Sequence, residues 1–198
     1  MATRPTVGIL ALQGDFAEHA SALRRVGVPL LEVRTSAHLE QVAGLVIPGG
    51  ESTTMARLVD AYDLRTPLID YAKAGRPIWG TCAGMILLAD RVVEDRPTPL
   101  GLMEILVHRN GFGRQVDSFE TDLSIEGLTG GPFHAVFIRA PVVCEVGLGI
   151  EVLSRMEDGS IVAVRKGPLL GTAFHPELTD DPRLHRYFVA MVEEAAAP

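Results

Sequence analysis

Cys82 sits in Gly80-Thr81-Cys82-Ala83-Gly84, between the apolar run Pro77-Ile78-Trp79 and the apolar run Met85-Ile86-Leu87-Leu88. Glycines two positions either side of a nucleophile mark a strained strand-to-helix elbow, here with a thiol where many hydrolases carry a serine. Larger residues at Gly80 or Gly84 would block the turn and the close packing of helix on strand. The elbow lifts the sulfur above the sheet edge. The N-terminal end of the following helix favours a thiolate there. A thiol nucleophile needs a base, and the base needs an orienting group. His175 follows the buried run Leu169–Phe174 and so emerges at the same sheet edge as Cys82. Pro176 biases it to an extended conformation, in which residues i and i+2 project to one side and Glu177 falls beside the imidazole. Cys82, His175 and Glu177 thus form a candidate thiol–imidazole–carboxylate relay for acyl transfer. The competing readings are a buried cysteine in a glycine-rich turn and a strand-ending His-Pro turn with a solvated glutamate.

The other histidines fit this chemistry less well. His19 lies in the first helix and is expected at the surface or half-buried. His38, His134 and His185 have no patterned acid partner and are read as surface residues, while His108 beside Arg109 is placed where it could line a site.

These groups require a scaffold, and the first 90 residues describe one. Thr6–Leu12, Pro29–Val33 and Gly44–Ile47 read as strands, the first an apolar run suited to a sheet covered on both faces. Between them, Asp15 and Glu18 resemble a capping box opening a helix with Phe16, Ala20, Leu23 and Val26 inward and Gly27 as its stop. A short helical segment follows Ser36. Pro48-Gly49-Gly50-Glu51-Ser52-Thr53-Thr54 then leads into a helix with Met55, Leu58, Val59 and Tyr62 at helical spacing. Such a loop suits either a backbone anion site or a tight turn with an N-cap; it lacks the Gly-Lys-Ser/Thr ending of a phosphate loop. The Gly49–Gly50 peptide can present its N–H or its carbonyl at similar energy, and nothing nearby in the sequence locks the choice. Another helix over Leu64–Ala74 delivers the chain to the elbow.

Strands alternating with helices predict an α/β fold with a doubly wound, mostly parallel sheet flanked by helices. Ligands bind such sheets outside the carboxyl ends of the strands, where Gly49, Gly50 and Cys82 fall. After Arg91, short strands near 106–109, 135–138, 151–154 and 161–164 read as a short antiparallel excursion within one domain spanning 1–198. A last helix from about Asp181 packs Leu184, Phe188 and Met191, and the tail from Glu193 is expected to fray.

Composition narrows the class. The 47% hydrophobic and 22% charged content fits a soluble globular enzyme, and the net charge of −7 without a basic cluster argues against nucleic acid as a partner. Cys82 and Cys144 are expected as free thiols in a reducing compartment. Val7–Leu12 is too short for a secretion signal, and no apolar run is long enough to span a membrane. A cytoplasmic location is expected.

The elbow, the His175-Pro176-Glu177 step and the glycine loop together resemble the triad class of glutamine amidotransferases. Within it, Pro48–Thr54 and Arg109-Asn110-Gly111-Phe112-Gly113-Arg114-Gln115-Val116-Asp117-Ser118-Phe119-Glu120 look like the glutaminase subunit family of pyridoxal phosphate synthase. Leu12-Gln13-Gly14 and Phe137–Pro141 add to the likeness, which runs from Val7 to about Glu194. Gly111 stands where that family usually has Ser, and Met85 where it usually has Leu or a similar residue. The resemblance implies hydrolysis of L-glutamine to L-glutamate and ammonia through a γ-glutamyl thioester on Cys82, with His175 as base and Glu177 as its holder. It implies an oxyanion hole from the backbone N–H groups of Gly50 and Ala83, and glutamine contacts from Gly49, Gly50, Glu51, Arg109, Ile138 and Arg139. It also implies a barrel-fold synthase as partner and no metal or organic cofactor. The alternatives are the similar glutaminase of imidazole glycerol phosphate synthase, a peptidase- or deglycase-like elbow enzyme, and a non-catalytic regulatory protein.

Overall fold

The structure, a computed structural model, describes residues 4–112 and 118–197. Gly113 to Asp117, part of the motif quoted above, lie outside the described residues. The first strands are β1 (Val7–Leu10), β2 (Leu30–Val33), β3 (Gly44–Ile47), β4 (Ile78–Thr81) and β5 (Ala89–Val92). They are followed by β6 (Met103–His108), β7 (Ser118–Leu123), β8 (Phe133–Ile138), β9 (Val142–Val146), β10 (Glu151–Arg155), β11 (Ile161–Lys166) and β12 (Leu169–Thr172). Helices α1 (Phe16–Val26), α2 (Ser36–Leu39), α3 (Ser52–Ala61), α4 (Arg65–Lys73), α5 (Ala83–Leu88) and α6 (Arg183–Ala195) complete the order.

The main sheet runs β2-β1-β3-β4-β12-β11-β9-β6-β5, with β10 added on β11. The pairs from β2 to β12 are parallel, as are β5 and β6, whereas β11 pairs antiparallel with β12, β9 and β10. Every residue of β1, β3, β4 and β12 is buried, which is why these strands are uninterrupted runs of small or apolar residues. The expected mostly parallel sheet flanked by helices, with an antiparallel excursion, is borne out.

Several boundaries differ from the sequence reading, each for a physical reason. Strands β5, β7 and β9 were not legible. β7 buries little beyond Leu123, and β9 turns three of its five residues outward, so neither shows a clean apolar period. Tyr62 is 54% exposed beyond the end of α3. Instead of fraying at Glu193, α6 continues to Ala195, held by Met191 and Val192 in the core.

The ribbon of β7 and β8 forms its own two-stranded sheet, yet it helps build the site. Phe119 and Phe137 lie opposite in register and stack with centroids 4.6 Å apart. Phe137 also contacts Phe174 at 5.5 Å, and the His175 N–H donates to the Val136 carbonyl at 2.8 Å. The ribbon thereby fixes the backbone next to His175.

On the outer face of that ribbon, His134 is gripped by Glu120 (2.9 Å) and Asp122 (3.0 Å), a partnership the sequence reading missed because both acids lie on the facing strand. Their hydrogen bonds raise its pKa above the usual 6.5. The contribution to ribbon stability is therefore full at low pH, where the imidazole is charged in both states, and is lost as pH rises through the raised value. An NMR titration of His134 should show a midpoint above 6.5 that falls back in Glu120→Gln/Asp122→Asn; an unshifted midpoint in the parent would show that these pairs do not persist in solution.

Candidate active site

β4 and β12 are adjacent and parallel, with Thr81 opposite Thr172. Cys82 follows the first strand directly and His175 follows the second after two buried residues, so both leave the sheet at the same carboxyl edge. The Cys82 N–H donates to the Thr172 carbonyl at 2.8 Å, which pins the elbow to the strand that delivers His175. Cys82 has φ 47° and ψ −104°, a costly backbone for a residue with a side chain, held here by both flanking elements. The two elbow glycines are explained by close approach. A Cβ at Gly84 would overlap the Ile47 backbone carbonyl, and one at Gly80 would overlap the Gly84 backbone.

His175 Nδ1 and Glu177 Oε1 are 2.7 Å apart, both side chains buried. Glu177 gets there by a different route from the extended chain expected. Pro176–Leu178 is a 3-10 turn, and Pro is favoured at the first position of a helical turn, where its missing N–H costs nothing. Burial opposes charge on His175, but hydrogen bonds with Asp15, Cys82 and Glu177 outweigh it and hold the imidazole well above its usual pKa. Burial raises the Glu177 carboxyl, against the pull of the imidazole. The pair thus shares a proton that stays on the imidazole side while Asp15 and Glu177 face it.

A cavity of about 330 Å³ opens over the thiol and collects Gly50, Glu51, Cys82, Ala83, Arg109, Ile138, Arg139 and His175. Of the remaining expected residues, Glu177 lies behind the imidazole, and Gly49 packs so close to it that a Cβ would overlap the ring. Glu51 caps α3, accepting from Thr53 N (3.0 Å) and Thr54 N (2.6 Å). Slight burial favours its neutral form, but the hydrogen bonds of Thr54 and Thr53 prevail and bring its pKa down to about 2. Its Oε1 also meets Arg109 Nη2 at 3.2 Å. Arg139 has φ 42°, a second strained backbone at the cavity rim. His108 does not line the cavity and faces Glu94 at 3.6 Å. At Gly111 a Cβ would collide with Val142, and its N–H donates to the Ala140 carbonyl at 3.2 Å.

Three residues were misread from sequence. Asp15 makes no side-chain cap hydrogen bond; its carboxylate lies 3.3 Å from His175 Nδ1 instead. Its backbone N–H donates to the Gly49 carbonyl at 3.2 Å, so the Gly49–Gly50 peptide is held after all, by a residue 34 positions upstream. Because a trans peptide directs its N–H opposite to its carbonyl, the Gly50 N–H points away from Asp15. His19, expected at the surface or half-buried, and His185, read as a surface group, are completely buried. Cys144 is exposed and Cys82 buried, and both are free thiols, as expected. Asp15, His175 and Glu177 also offer three donor atoms within 4.8 Å of one another. A cation there would have to displace the proton that joins His175 Nδ1 to Glu177.

A cysteine elbow, a buried His–Glu pair and a glycine loop around one cavity agree with what comparison with known proteins finds. Residues 9–194 match the SNO glutamine amidotransferase family. This chain belongs to that family. The resemblance drawn from the elbow, the His-Pro-Glu step and the Pro48–Thr54 loop is thus borne out, and the chain is an enzyme of the glutamine amidotransferase class. Among relatives, "Pyridoxal 5'-phosphate synthase subunit PdxT" of Herpetosiphon aurantiacus is 55% identical over 189 residues, covering 94% of this chain and 100% of its own. The protein of the same name from Frankia alni is 54% identical over 195 residues, covering 98% of each chain. A crystal structure of a glutamine amidotransferase superposes with TM-score 0.89 at 50% identity, over 94% of this chain and 98% of that one. A chain in the structure of PurLQS from Thermotoga maritima shares the fold alone, with TM-score 0.68 at 17% identity over 98% of this chain and 97% of its own. Among the described residues, no helix is long and apolar enough to cross a membrane.

Proposed function

We propose that this chain hydrolyses L-glutamine to L-glutamate and ammonia and passes the ammonia to a barrel-fold synthase that makes pyridoxal phosphate. The observation that carries the reading is the thiol of Cys82 and the imidazole of His175 on one cavity wall, with Glu177 buried behind the imidazole at 2.7 Å. The names of the relatives supply the synthase.

In this mechanism the Cys82 sulfur attacks the side-chain amide carbon, and the carbonyl oxygen becomes an oxyanion. The Gly50 and Ala83 N–H groups stabilise it, each worth about 10²–10³ in rate. His175, already charged with the proton of the Cys82 thiol, gives a proton to the departing nitrogen, which leaves as ammonia with the γ-glutamyl thioester left on Cys82. His175 then takes a proton from water, which attacks the thioester and releases glutamate and the thiol. Glu177 keeps Nδ1 protonated so that Nε2 faces the thiol. Arg109 pairs with the α-carboxylate of glutamine, a geometry suited to its planar guanidinium. Glu51, anionic at neutral pH, meets the α-ammonium. Gly49, Ile138 and Arg139 shape the rest of the pocket.

The test is ammonia release from glutamine by the purified chain, with and without a barrel synthase from the same source. Glutamate and ammonia in equal amounts from the complex are expected; no release would overturn the reading. Comparing the isolated chain with the complex also measures what the partner adds to a glycine loop already held by the Asp15 N–H. Glu177→Gln should lower kcat with the fold unchanged, since an amide holds the imidazole but stabilises imidazolium poorly. The loss should be smaller than that in His175→Ala, which removes the base itself. Parent-like turnover in Glu177→Gln would remove Glu177 from the relay.

A further inference from the structure

The face of α1 that packs on the sheet is apolar at Ala20, Ala22 and Leu23, yet it carries His19 with no exposed surface. The facing helix, α6, does the same. His185 lies between buried Leu184 and Phe188 and is equally inaccessible. The two imidazoles meet, His19 Nδ1 to His185 Nε2, at 3.1 Å. Trp79 of β4 sets its ring edgewise against both, with centroids 5.6 Å from His19 and 5.1 Å from His185. Two neutral polar rings in the middle of an apolar interface are costly unless their hydrogen bonds are used.

The chain of contacts leads to Glu177. One oxygen of that buried carboxylate, Oε1, is committed to His175. The other, Oε2, has no in-line hydrogen-bond donor among the described residues, but His19 Nε2 lies 3.2 Å away. Thr81 Oγ1 lies 3.1 Å from the same nitrogen, one residue before Cys82. Neighbours decide the tautomer. A bare Nε2 would set a lone pair against a carboxylate oxygen at 3.2 Å, whereas an Nε2–H sets a positive edge there and serves Thr81 as well. With Nε2 protonated, Nδ1 must accept, so His185 donates its Nε2–H. His185 Nδ1 is then a bare acceptor. It is indeed the buried ring nitrogen that finds no partner, and an unpaired acceptor costs less there than an unpaired N–H would. Burial lowers the pKa of both rings, with repulsion among the neighbouring imidazoles adding to the effect on His19 and Arg25 adding to that on His185, so both stay neutral at neutral pH.

We propose that His19 is a positioning residue for the relay of Cys82, His175 and Glu177: its Nε2–H, paired with Thr81 Oγ1 and supported from behind by His185, sets its positive edge 3.2 Å from Oε2 of Glu177 and thereby keeps Oε1 on His175. The inference rests on the glutaminase reading above and adds to it a second imidazole, outside the cavity and out of reach of glutamine. His19 therefore acts on turnover and not on substrate binding. Without that positive edge beside Oε2, the Glu177 carboxylate can rotate away from His175.

The test uses the full chain with its barrel synthase, assayed for ammonia release from glutamine. His19→Leu removes the donor in an apolar shape; His19→Gln restores an N–H near the position of Nε2. His19→Leu is expected to lower kcat at least about tenfold, the scale on which buried supporting partners act, with KM within about twofold, and His19→Gln to recover most of the loss. In a Glu177→Gln background His19→Leu should cost no further activity, because the two act as one unit. Parent-like turnover in His19→Leu, or losses that multiply in the double variant, would overturn the proposal. A measurement on the unmutated chain guards against a variant that does not fold. The side-chain ¹⁵N shifts of His19 should show a protonated Nε2 and a bare Nδ1, and the opposite tautomer would refute the arrangement. The underlying reading fails separately: a parent complex that releases no ammonia removes the relay itself, whichever tautomer His19 carries.

Discussion

Cys82→Ala is expected to abolish glutamine hydrolysis, by at least about 10³-fold, while leaving the fold intact. Loss of a nucleophile that acts as one unit with its base removes nearly all the catalysis the group provides. The structural cost is small. Apart from its contact with the His175 imidazole, the sulfur makes a weak contact at 3.9 Å to the Ile138 carbonyl, and the strained φ of 47° is borne by the backbone whichever of the two side chains it carries. The Cys82 N–H bond to Thr172 survives the change. Far-UV circular dichroism and the urea midpoint should therefore match the parent. The synthase partner should still make coenzyme when given ammonium salts. Residual hydrolysis within tenfold of the parent would move the chemistry to another residue. Cys144→Ala is the control: that thiol is exposed, and its loss should leave turnover unchanged.

Gly84→Ala should be a strongly damaging single-methyl change near the site. Two effects oppose each other. In a helix alanine is preferred over glycine by about 1 kcal/mol, which by itself would stabilise α5. Against this, the added Cβ overlaps the backbone carbonyl of Ile47 in β3, which cannot rotate out of the way as a side chain could. Overpacking a rigid interior costs about 1–3 kcal/mol, so the clash prevails and the chain is expected to lose stability. Relief comes only by moving α5 off the sheet, and α5 begins at Ala83, whose N–H belongs to the proposed oxyanion hole. A displacement near 1 Å at such a site costs on the order of 10² in rate. Urea titration and kcat/KM should both fall. A variant as stable and as active as the parent would show that the close approach of α5 to β3 is not needed.

Part of the site is a local property of the chain. The elbow needs small residues at fixed offsets around Cys82 because helix and strand backbones approach within a few ångströms, and that need is written as Gly80 and Gly84. The buried parallel strands are continuous apolar runs because both faces are covered. His175 and Glu177 are two residues apart, so any compact turn brings them together; the 3-10 turn does it where an extended chain was expected.

What the sequence did not decide is everything that depends on which distant segment packs alongside. His19 and His185 are 166 residues apart, and His19 and Thr81 are 62 apart. On a single helix each histidine looks like an ordinary polar residue, and only the packing of α1 and α6 over Trp79 buries them. Asp15 matched a capping pattern, yet its side chain turns to His175 and its N–H to Gly49, because the sheet places the β1 and β3 loops side by side. The β7–β8 ribbon that fixes His175 shows the same dependence: its stacked phenylalanines are 18 residues apart and meet only through strand register. Spacing along the chain sets what chemistry a stretch can support. Which buried polar atoms find partners is set across the sheet, where residues far apart in sequence share one water-free environment and every hydrogen bond must be made within it.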